Sequence, residues 1–271
     1  FLLYALMITP TFLLFSEDPL LGRVEYNSLS QQTLLELVIV NVQNKGKICG
    51  NQDTPTDFDE WKAVRCNENQ EVIGFTLEHT TITTATDLTG SISLQWLPTT
   101  VDNLTIWGTQ LSGSIDLTSL PSVLRTIKIA GNMFGGELCF SKLPSSLNTL
   151  DLFSNQFEGS VDLEHLPCFL WLFDVEKNAF SGTVSLQKLP EKLEKLNLSQ
   201  NQFSGVLDFT QLPITLRYLF VSVNRFAGQA DFSKLPNSLQ TLNVSSTKLS
   251  GEIIMRKGMK VITPNSSVKK R

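Results

Sequence analysis

The stretch "LSQNQFSGVLDFTQLP", residues 198–213, recurs along the chain with small changes. Residues 152–167 are "LFSNQFEGSVDLEHLP" and residues 221–236 are "VSVNRFAGQADFSKLP". The glycine of this stretch steps by 23 residues, at Gly90, Gly113, Gly136, Gly159, Gly182, Gly205, Gly228 and Gly251. A fixed period between 20 and 50 residues indicates a repeat architecture, in which each unit packs on its neighbours.

Each unit follows the pattern L-x-x-L-x-L-x-x-N-x-F-x-G-x-x-D-L-x-x-L-P-x-x, which is identified as the leucine-rich repeat signature. Eight units start at Val72, Val101, Leu124, Leu147, Leu170, Leu193, Leu216 and Leu239. This signature predicts a leucine-rich repeat solenoid of the α/β horseshoe class. We expect a parallel concave β-sheet of about eight strands, extended or 3₁₀ convex segments and a helical cap at the amino-terminal end.

The repeated columns have physical roles in such a stack. One unit cannot bury its leucines alone, so we expect Leu150, Leu196 and Leu219 to share one continuous interior. A side-chain amide carries two donors and an acceptor, so the asparagine column can satisfy backbone groups of neighbouring coils. We expect this structural ladder to consist of Asn132, Asn155, Asn178, Asn201 and Asn224. The glycine column predicts a positive φ, and the column of Phe134, Phe157, Phe180, Phe203 and Phe226 predicts an aromatic filling of the convex side.

The chain divides into four parts by composition. Residues 1–16 begin with fifteen apolar residues and are typical of a secretory signal or anchor; a truncated buried helix is the alternative. Residues 24–71 form the expected cap, in which a helical pattern over 29–45 would stop at Gly46. Residues 72–251 are the repeat array and residues 252–271 are a basic tail.

Charge separates the tail from the rest of the chain. The last sixteen residues hold six bases and no acid, which leaves 16 basic against 26 acidic residues elsewhere. An acidic array argues against nucleic acid as a partner, because phosphate binding needs a basic face. Attachment to a membrane, through residues 1–16 or through sequence beyond Arg271, is left open.

The segment before the first repeat carries Cys49 and the run Trp61-Lys62-Ala63-Val64-Arg65-Cys66. It resembles the W-x-G-V-x-C motif in the amino-terminal cap of plant receptor leucine-rich repeats, with Ala63 in place of the glycine. The resemblance implies a Cys49–Cys66 disulfide and an oxidising compartment. The 23-residue period is also similar to that of leucine-rich repeat surface proteins of protists. Cys139 and Cys168 lie too far apart along an extended run to pair.

No pattern of catalytic or cofactor-binding residues appears. The two histidines, His79 and His165, have no neighbours at metal-ligand spacing, and no nucleotide-binding or nucleophile motif is present. We therefore expect no enzyme activity, cofactor or metal.

Recognition is the chemistry that this scaffold favours. Side chains alternate along a strand, so the third, fifth and seventh residues of each unit face the concave solvent surface. Exposed large apolar side chains mark interfaces. The candidate binding residues are Trp107, Phe153, Trp171, Leu172, Tyr218 and Phe220, with charged companions Asp151, Asp174, Glu176 and Lys195.

Four N-glycosylation sequons begin at Asn103, Asn197, Asn243 and Asn265, and the first three fall on the concave face. The sequence predicts a non-enzymatic module that binds a protein or peptide ligand, outside the cell or at its surface. Its alternatives are the ectodomain of a receptor kinase, a structural or adhesion protein, and an intracellular scaffold with reduced Cys49 and Cys66.

Overall fold

The computed structural model of the 271-residue chain describes residues 26–78, 82 and 87–271. These ranges contain most of the cap, most of the repeat array and the whole tail. The apolar segment 1–16 and His79 lie outside the described residues.

The amino-terminal cap begins with helix α1 (Gln31–Val38), where the Ser30 hydroxyl accepts a hydrogen bond from the Thr33 N–H at 3.1 Å. Strand β1 (Val42–Gln43), helix α2 (Gly46–Cys49) and strand β2 (Val64–Cys66) follow. The helix predicted over 29–45 therefore ends early, because Val42 pairs with Gly90 of the array, and Gly46 starts a helix instead of stopping one. One-turn 3₁₀ helices occupy Tyr26–Ser28, Phe58–Glu60, Leu94–Trp96 and Phe140–Lys142.

The concave sheet has ten strands, eight of which come one from each repeat, as the period predicts. The repeat strands pair in parallel, whereas β2 of the cap adds an antiparallel edge strand. After β2 the sheet contains β3 (Val72–Leu77), β5 (Asn103–Trp107), β7 (Thr126–Ala130), β9 (Thr149–Asp151), β11 (Leu172–Asp174), β13 (Lys195–Asn197), β15 (Tyr218–Phe220), β17 (Thr241–Asn243) and β19 (Lys260–Ile262).

A second layer of strands runs beside the concave sheet, one corner further along each coil. It consists of two five-stranded sheets, the first running from β1 of the cap through the earlier repeats and the second through the later coils. The backbone still bonds across their junction, where the Ser181 N–H donates to the Gly159 carbonyl at 2.8 Å. The strands are β4 (Thr89–Gly90), β6 (Gln110–Gly113), β8 (Met133–Glu137), β10 (Gln156–Glu158), β12 (Ser181–Thr183), β14 (Gln202–Gly205), β16 (Arg225–Gln229), β18 (Lys248–Ile253) and β20 (Ser267–Lys270).

The interior is continuous from the cap to the last coil. Leu150, Leu196 and Leu219 are fully buried and belong to one apolar cluster, as expected. Phe180, Phe203 and Phe226 are also fully buried, with successive ring centroids 6.3 and 6.1 Å apart and nearly parallel planes. This aromatic column fills the space between the two sheet layers.

Each ladder asparagine ties one coil to the coil before it. The Asn178 amide donates to the carbonyls of Leu152 (2.9 Å) and Val175 (3.1 Å), and its oxygen accepts from the Phe157 N–H at 3.1 Å. Equivalent bonds are made by Asn132, Asn155, Asn201 and Asn224. The ladder asparagines therefore provide hydrogen-bond partners for backbone groups that the stacked coils remove from water.

Two positions in each coil have left-handed backbone conformations. The glycine column has positive φ throughout, from 82° at Gly159 to 137° at Gly251, as the sequence predicts. The corner before the ladder position also has positive φ, although no glycine occupies it in the later repeats. Ser154, Lys177, Gln200 and Val223 precede ladder asparagines, Ser246 precedes Thr247, and all five have φ between 51° and 58°. The sequence therefore reveals the first left-handed position, through its glycines, but not the second.

The basic tail folds as a shortened ninth coil. β19 pairs with β17 and places Lys260 opposite Thr241, a step of 19 residues instead of 23. Met259, Val261 and Val268 are buried against the eighth repeat. The Arg256 guanidinium donates to the carbonyls of Leu235 and Pro236 and thereby holds the shortened convex segment in place. The tail covers the end of the core.

The disulfide implied by the plant-receptor resemblance is not formed in the structure. Cys49 and Cys66 are separate thiols. The buried Cys49 Sγ is directed at the carbonyl oxygens of Lys45 and Asn51, each 3.2 Å away. Trp61 of the same motif is buried and donates its indole N–H to the Thr56 carbonyl at 2.9 Å. Packing of Trp61 thus closes this cap without the bond. Cys139 and Cys168 are exposed thiols.

Candidate recognition surface

The concave face is a grid of three columns, formed by the third, fifth and seventh residues of the repeats. Strand pairing fixes the rows, because Asp174 lies opposite Asp151 on one side and Asn197 on the other. Trp107 likewise lies opposite Ala130. The positions assigned from the sequence are therefore neighbours across strands.

Aromatic side chains occupy both ends of this grid. Toward the amino-terminal end, Trp107 is 58% exposed and Phe153 is 36% exposed. Toward the carboxy-terminal end, the half-buried Tyr218 and Phe220 stack with their ring centroids 6.5 Å apart. Exposed aromatic rings are preferred anchors at protein interfaces.

Trp171 and Leu172 do not belong to the same surface. Leu172 lies half-buried in the concave grid, opposite Thr149 and Lys195. Trp171 points from the flank, where it is 44% exposed, and its neighbour Phe169 lies under the Lys192 ammonium, 4.4 Å from the ring centroid. Trp171 therefore marks a lateral patch beside the concave face.

A polar network lies between the two aromatic ends. The buried Asp174 carboxylate accepts from the Lys195 ammonium at 2.8 Å and from the Asn197 amide at 3.1 Å. The same amide donates to Glu176 at 2.7 Å, and Gln200 donates to the other Glu176 oxygen at 2.6 Å. These charges are thus held in fixed positions by one another.

Asp151 differs from the other two acids of the face. Its carboxylate accepts one hydrogen bond, from the Phe153 N–H at 3.1 Å. Burial raises the pKa of this carboxyl group, and the charge of Asp174 adds to the rise, against the opposing effects of the Phe153 N–H, Lys195 and Lys128. The Asp151 carboxylate therefore lacks the cationic partner that Lys195 provides for Asp174.

Sequence reasoning placed Lys128 and Asn197 on the concave face but did not count them among the candidate binding residues, and it did not identify Gln200. Lys128 is exposed and lies opposite Asp151 in the strand register. Asn197 was expected on this face as a polar residue and a sequon, whereas the bonds of its amide to the carboxylates of Asp174 and Glu176 were not expected. Gln200 lies at the corner outside the concave columns. Its role could not be read from the repeat because other residue types occupy the equivalent corners.

The sequon asparagines have different surroundings. Asn197 is 4% exposed and both donations of its amide go to carboxylates, so a glycan on that nitrogen is incompatible with this arrangement. Asn103 and Asn243 are half-buried on the concave face, and Asn265 is exposed in the last coil. Asn265 is the sequon asparagine with the most open side chain.

Other site chemistry is sparse in the part of the chain that the structure describes. No group of three or more acidic, histidine or cysteine side chains there is arranged to hold a metal ion. No helix of the described ranges is long and apolar enough to cross a bilayer. A depression of about 900 Å³ lies on the convex side between Phe232 and Ile254, where the ninth coil is short, and includes none of the concave residues.

Comparisons with known proteins agree with this architecture. The leucine-rich repeat family model matches residues 192–212, whereas no curated protein matches the chain. A plant ice-binding protein has a TM-score of 0.50 at 18% identity, over 89% of this chain and 94% of that one. The BIR2 ectodomain from Arabidopsis thaliana has a TM-score of 0.48 at 23% identity, over 64% of this chain and 92% of that one.

The plant peptide hormone receptor RGFR1, solved in complex with RGF2, has a TM-score of 0.45 at 24% identity. The match covers 58% of this chain and 31% of that one, so the chain spans about a third of that receptor. At these identities the likeness concerns the fold. The repeat signature, the stacked parallel coils and the family match identify the chain as a leucine-rich repeat solenoid.

Proposed function

We propose that the chain is a non-enzymatic recognition module that binds a peptide or an extended protein segment on its concave face. The observation that carries this proposal is the pair of aromatic ends, Trp107 with Phe153 and Tyr218 with Phe220, on either side of the fixed polar network. Large apolar groups on a solvent-facing sheet lose water when a partner covers them, which favours association. Complexes such as that of RGFR1 with RGF2 show that the fold accommodates peptide partners elsewhere.

A random dodecapeptide library displayed on phage tests the proposal. We expect the immobilised protein to enrich a limited set of peptides, and we expect the triple variant Phe153→Ser, Tyr218→Ser, Phe220→Ser to lose that enrichment. The matched control is Val206→Ser with Ile214→Ser, which removes side chains that are 64% and 86% exposed outside the concave face. Equal enrichment by the wild type and a folded triple variant would exclude the concave face, and no enrichment on the wild type would favour a structural or adhesion role.

We propose an extracellular or cell-surface location for this module, whether it stands alone or forms part of a receptor. The support is the signal-like composition of residues 1–16 and the exposure of the Asn265 sequon. Expression in cultured eukaryotic cells with residues 1–16 retained should place the protein in the secretory pathway, with a glycosidase-sensitive mobility shift that Asn265→Gln removes. Cytosolic protein without a shift would favour the intracellular scaffold.

A further inference from the structure

Three side chains form an apolar shelf on the amino-terminal half of the concave face. Trp107, Ala130 and Phe153 occupy the seventh position of successive repeats. Trp107 pairs with Ala130, and the Gly131 N–H donates to the Phe153 carbonyl at 2.8 Å, so the register continues to Phe153. Two strand spacings place the Trp107 and Phe153 backbones roughly 10 Å apart, with the small Ala130 side chain between them.

The indole of Trp107 lies over the next coil. A Cβ atom built on Gly131 would be 3.3 Å from Trp107 Cδ1, which shows that the ring packs on that glycine. Ala130, between Trp107 and Phe153 in the register, is 6% exposed, whereas Trp107 is 58% and Phe153 is 36% exposed. The apolar shelf (Trp107, Ala130, Phe153) therefore offers aromatic faces that nothing in the described chain covers.

A carboxylate lies at the edge of this shelf. Asp151 precedes Phe153 by two residues and shares its face of the sheet. None of the ion pairs among the described residues involves Asp151. Lys195 pairs with Asp174 instead, and Lys128, opposite Asp151 in the register, does not approach it within ion-pair distance. Asp151 thus has a free oxygen for an incoming donor.

The surroundings of Asp151 favour a cation from outside the chain. Burial raises the pKa of this carboxyl group and the neighbouring Asp174 raises it further, so ionisation of Asp151 lowers the stability of the empty fold. The side chains facing it are Phe153 on its own strand, Lys128 on β7, and Asp174 and Lys195 on β11 and β13. A bound cation would offset both the burial and the repulsion.

We propose, on the basis of the proposed peptide-binding function, that the apolar shelf and Asp151 bind an arginine side chain of an extended peptide. The aliphatic stem and the planar guanidinium lie on the rings of Trp107 and Phe153, and the guanidinium donates to the Asp151 carboxylate. Arginine suits this arrangement better than lysine, because its flat head stacks on aromatic faces and bonds a carboxylate through two parallel N–H groups. The acidic balance of the array away from the tail favours the same cationic partner.

Lys128 tunes this site. Lys128 lies opposite Asp151 in the register and on the same side of the sheet, so its ammonium repels an arginine that approaches Asp151. Removal of that charge by Lys128→Gln should therefore tighten the binding of an arginine peptide, whereas a site for an acidic peptide would weaken. The two directions distinguish the proposed ligand from an anionic one.

The experiment sequences the peptides that the wild-type protein selects from the random dodecapeptide phage library. We expect arginine to be enriched over its input frequency, together with apolar neighbours. One selected arginine peptide is then synthesised with arginine, lysine or glutamine at that position, and its Kd is measured by fluorescence anisotropy. We expect Asp151→Asn to weaken the arginine peptide about tenfold or more, as loss of a charge-assisted hydrogen bond implies, and to erase its advantage over the glutamine peptide.

The matched control is Asp208→Asn, which removes an exposed carboxylate whose oxygen accepts from the Thr210 N–H on the convex side. It should leave all three Kd values unchanged. Asp151→Asn keeps an acceptor for the Phe153 N–H, so the variant should fold. The arginine site would be wrong if the selected peptides require the concave aromatic residues but show no arginine enrichment. It would also be wrong if Asp151→Asn leaves their Kd values unchanged. Neither result would contradict the proposed recognition module. Peptides that ignore the aromatic residues overturn both proposals.

Discussion

The concave sheet and the second strand layer are built from the same 23-residue period, yet they constrain the sequence differently. In the second layer each of the eight repeats carries a glycine with positive φ. In the concave sheet the third, fifth and seventh positions accept glycine, tryptophan, lysine or aspartate without a change of register. The second layer therefore constrains its residue types, whereas the concave sheet allows its outward side chains to vary.

Replacement of buried and half-buried phenylalanines tests this division with the largest effects. Phe203 is fully buried in the aromatic column, so Phe203→Ala should lower the free energy of unfolding by about 3–5 kcal/mol. Phe220 lies half-buried on the concave face, and Phe220→Ala should cost about 1 kcal/mol or less. Urea denaturation followed by circular dichroism compares the two variants. Equal losses would mean that Phe220 also belongs to the structural core.

Two glycines within the second layer should respond unequally to the same change. A Cβ atom on Gly90 would lie 2.2 Å from the Asn41 carbonyl oxygen, so Gly90→Ala must displace the cap. A Cβ atom on Gly182 meets nothing closer than Ser160 Cβ at 3.9 Å, so Gly182→Ala carries only the cost of its positive φ, about 1–2 kcal/mol. We expect a clearly lower melting temperature for Gly90→Ala than for Gly182→Ala. The reverse order would show that the cap does not rest on Gly90.

Among the five non-glycine residues with positive φ at the repeat corner between the two layers, Val223 is the β-branched one. It is 49% exposed, with a φ of 52°, a conformation that asparagine tolerates better. Val223→Asn should therefore raise the free energy of unfolding by about 0.5–1 kcal/mol. The control Ser246→Asn, at the equivalent exposed corner of the next coil, should change it less. A destabilised Val223→Asn would contradict the strain argument.

Acidic groups outside and inside the concave sheet should show opposite pH dependence. Hydrogen bonds from the Thr118 hydroxyl and N–H lower the pKa of Asp116 on the convex side, so its stabilisation is present above the ordinary carboxyl pKa and is lost as the pH falls. The raised pKa of Asp151 has the reverse sign: its penalty is absent in acid and appears as the pH rises through that pKa. Asp151→Asn should thus be slightly more stable than the wild type at neutral pH and equal to it in acid. Thermal melts across this pH range measure the difference, and a destabilised variant at neutral pH would contradict it.

The repeat signature was sufficient to predict the parallel concave sheet, the outward positions of Trp107 and Phe153 and the positive φ of the glycine column. It did not reveal the second layer, because the strands there are short and rich in glycine and serine, which are weak strand formers. These strands form because their backbones hydrogen-bond to the neighbouring coils. The ninth coil was missed for a related reason: it lacks the Leu-Pro pair and an asparagine at the ladder position, and its step is shorter.

Site chemistry was predictable as residue positions but not as contacts. The periodicity placed Asp174, Glu176 and Lys195 on one face, whereas the amide of Asn197 that joins the two carboxylates depends on rotamers that no pattern encodes. The Cys49–Cys66 bond was an expectation from resemblance, and the structure leaves both thiols unpaired. The repeat thus determines where a side chain lies, whereas the packing of its neighbours determines which groups it bonds.

Each ladder asparagine reaches only to the coil before its own, and this short reach has an evolutionary consequence. Excision of residues 178–200 would join Lys177 to Asn201 and bring that amide to the place left by Asn178. A duplication of the same length would likewise meet matching partners on both sides. The array can therefore gain or lose whole coils in a lineage, lengthening or shortening its concave face, while the surviving coils keep their internal geometry.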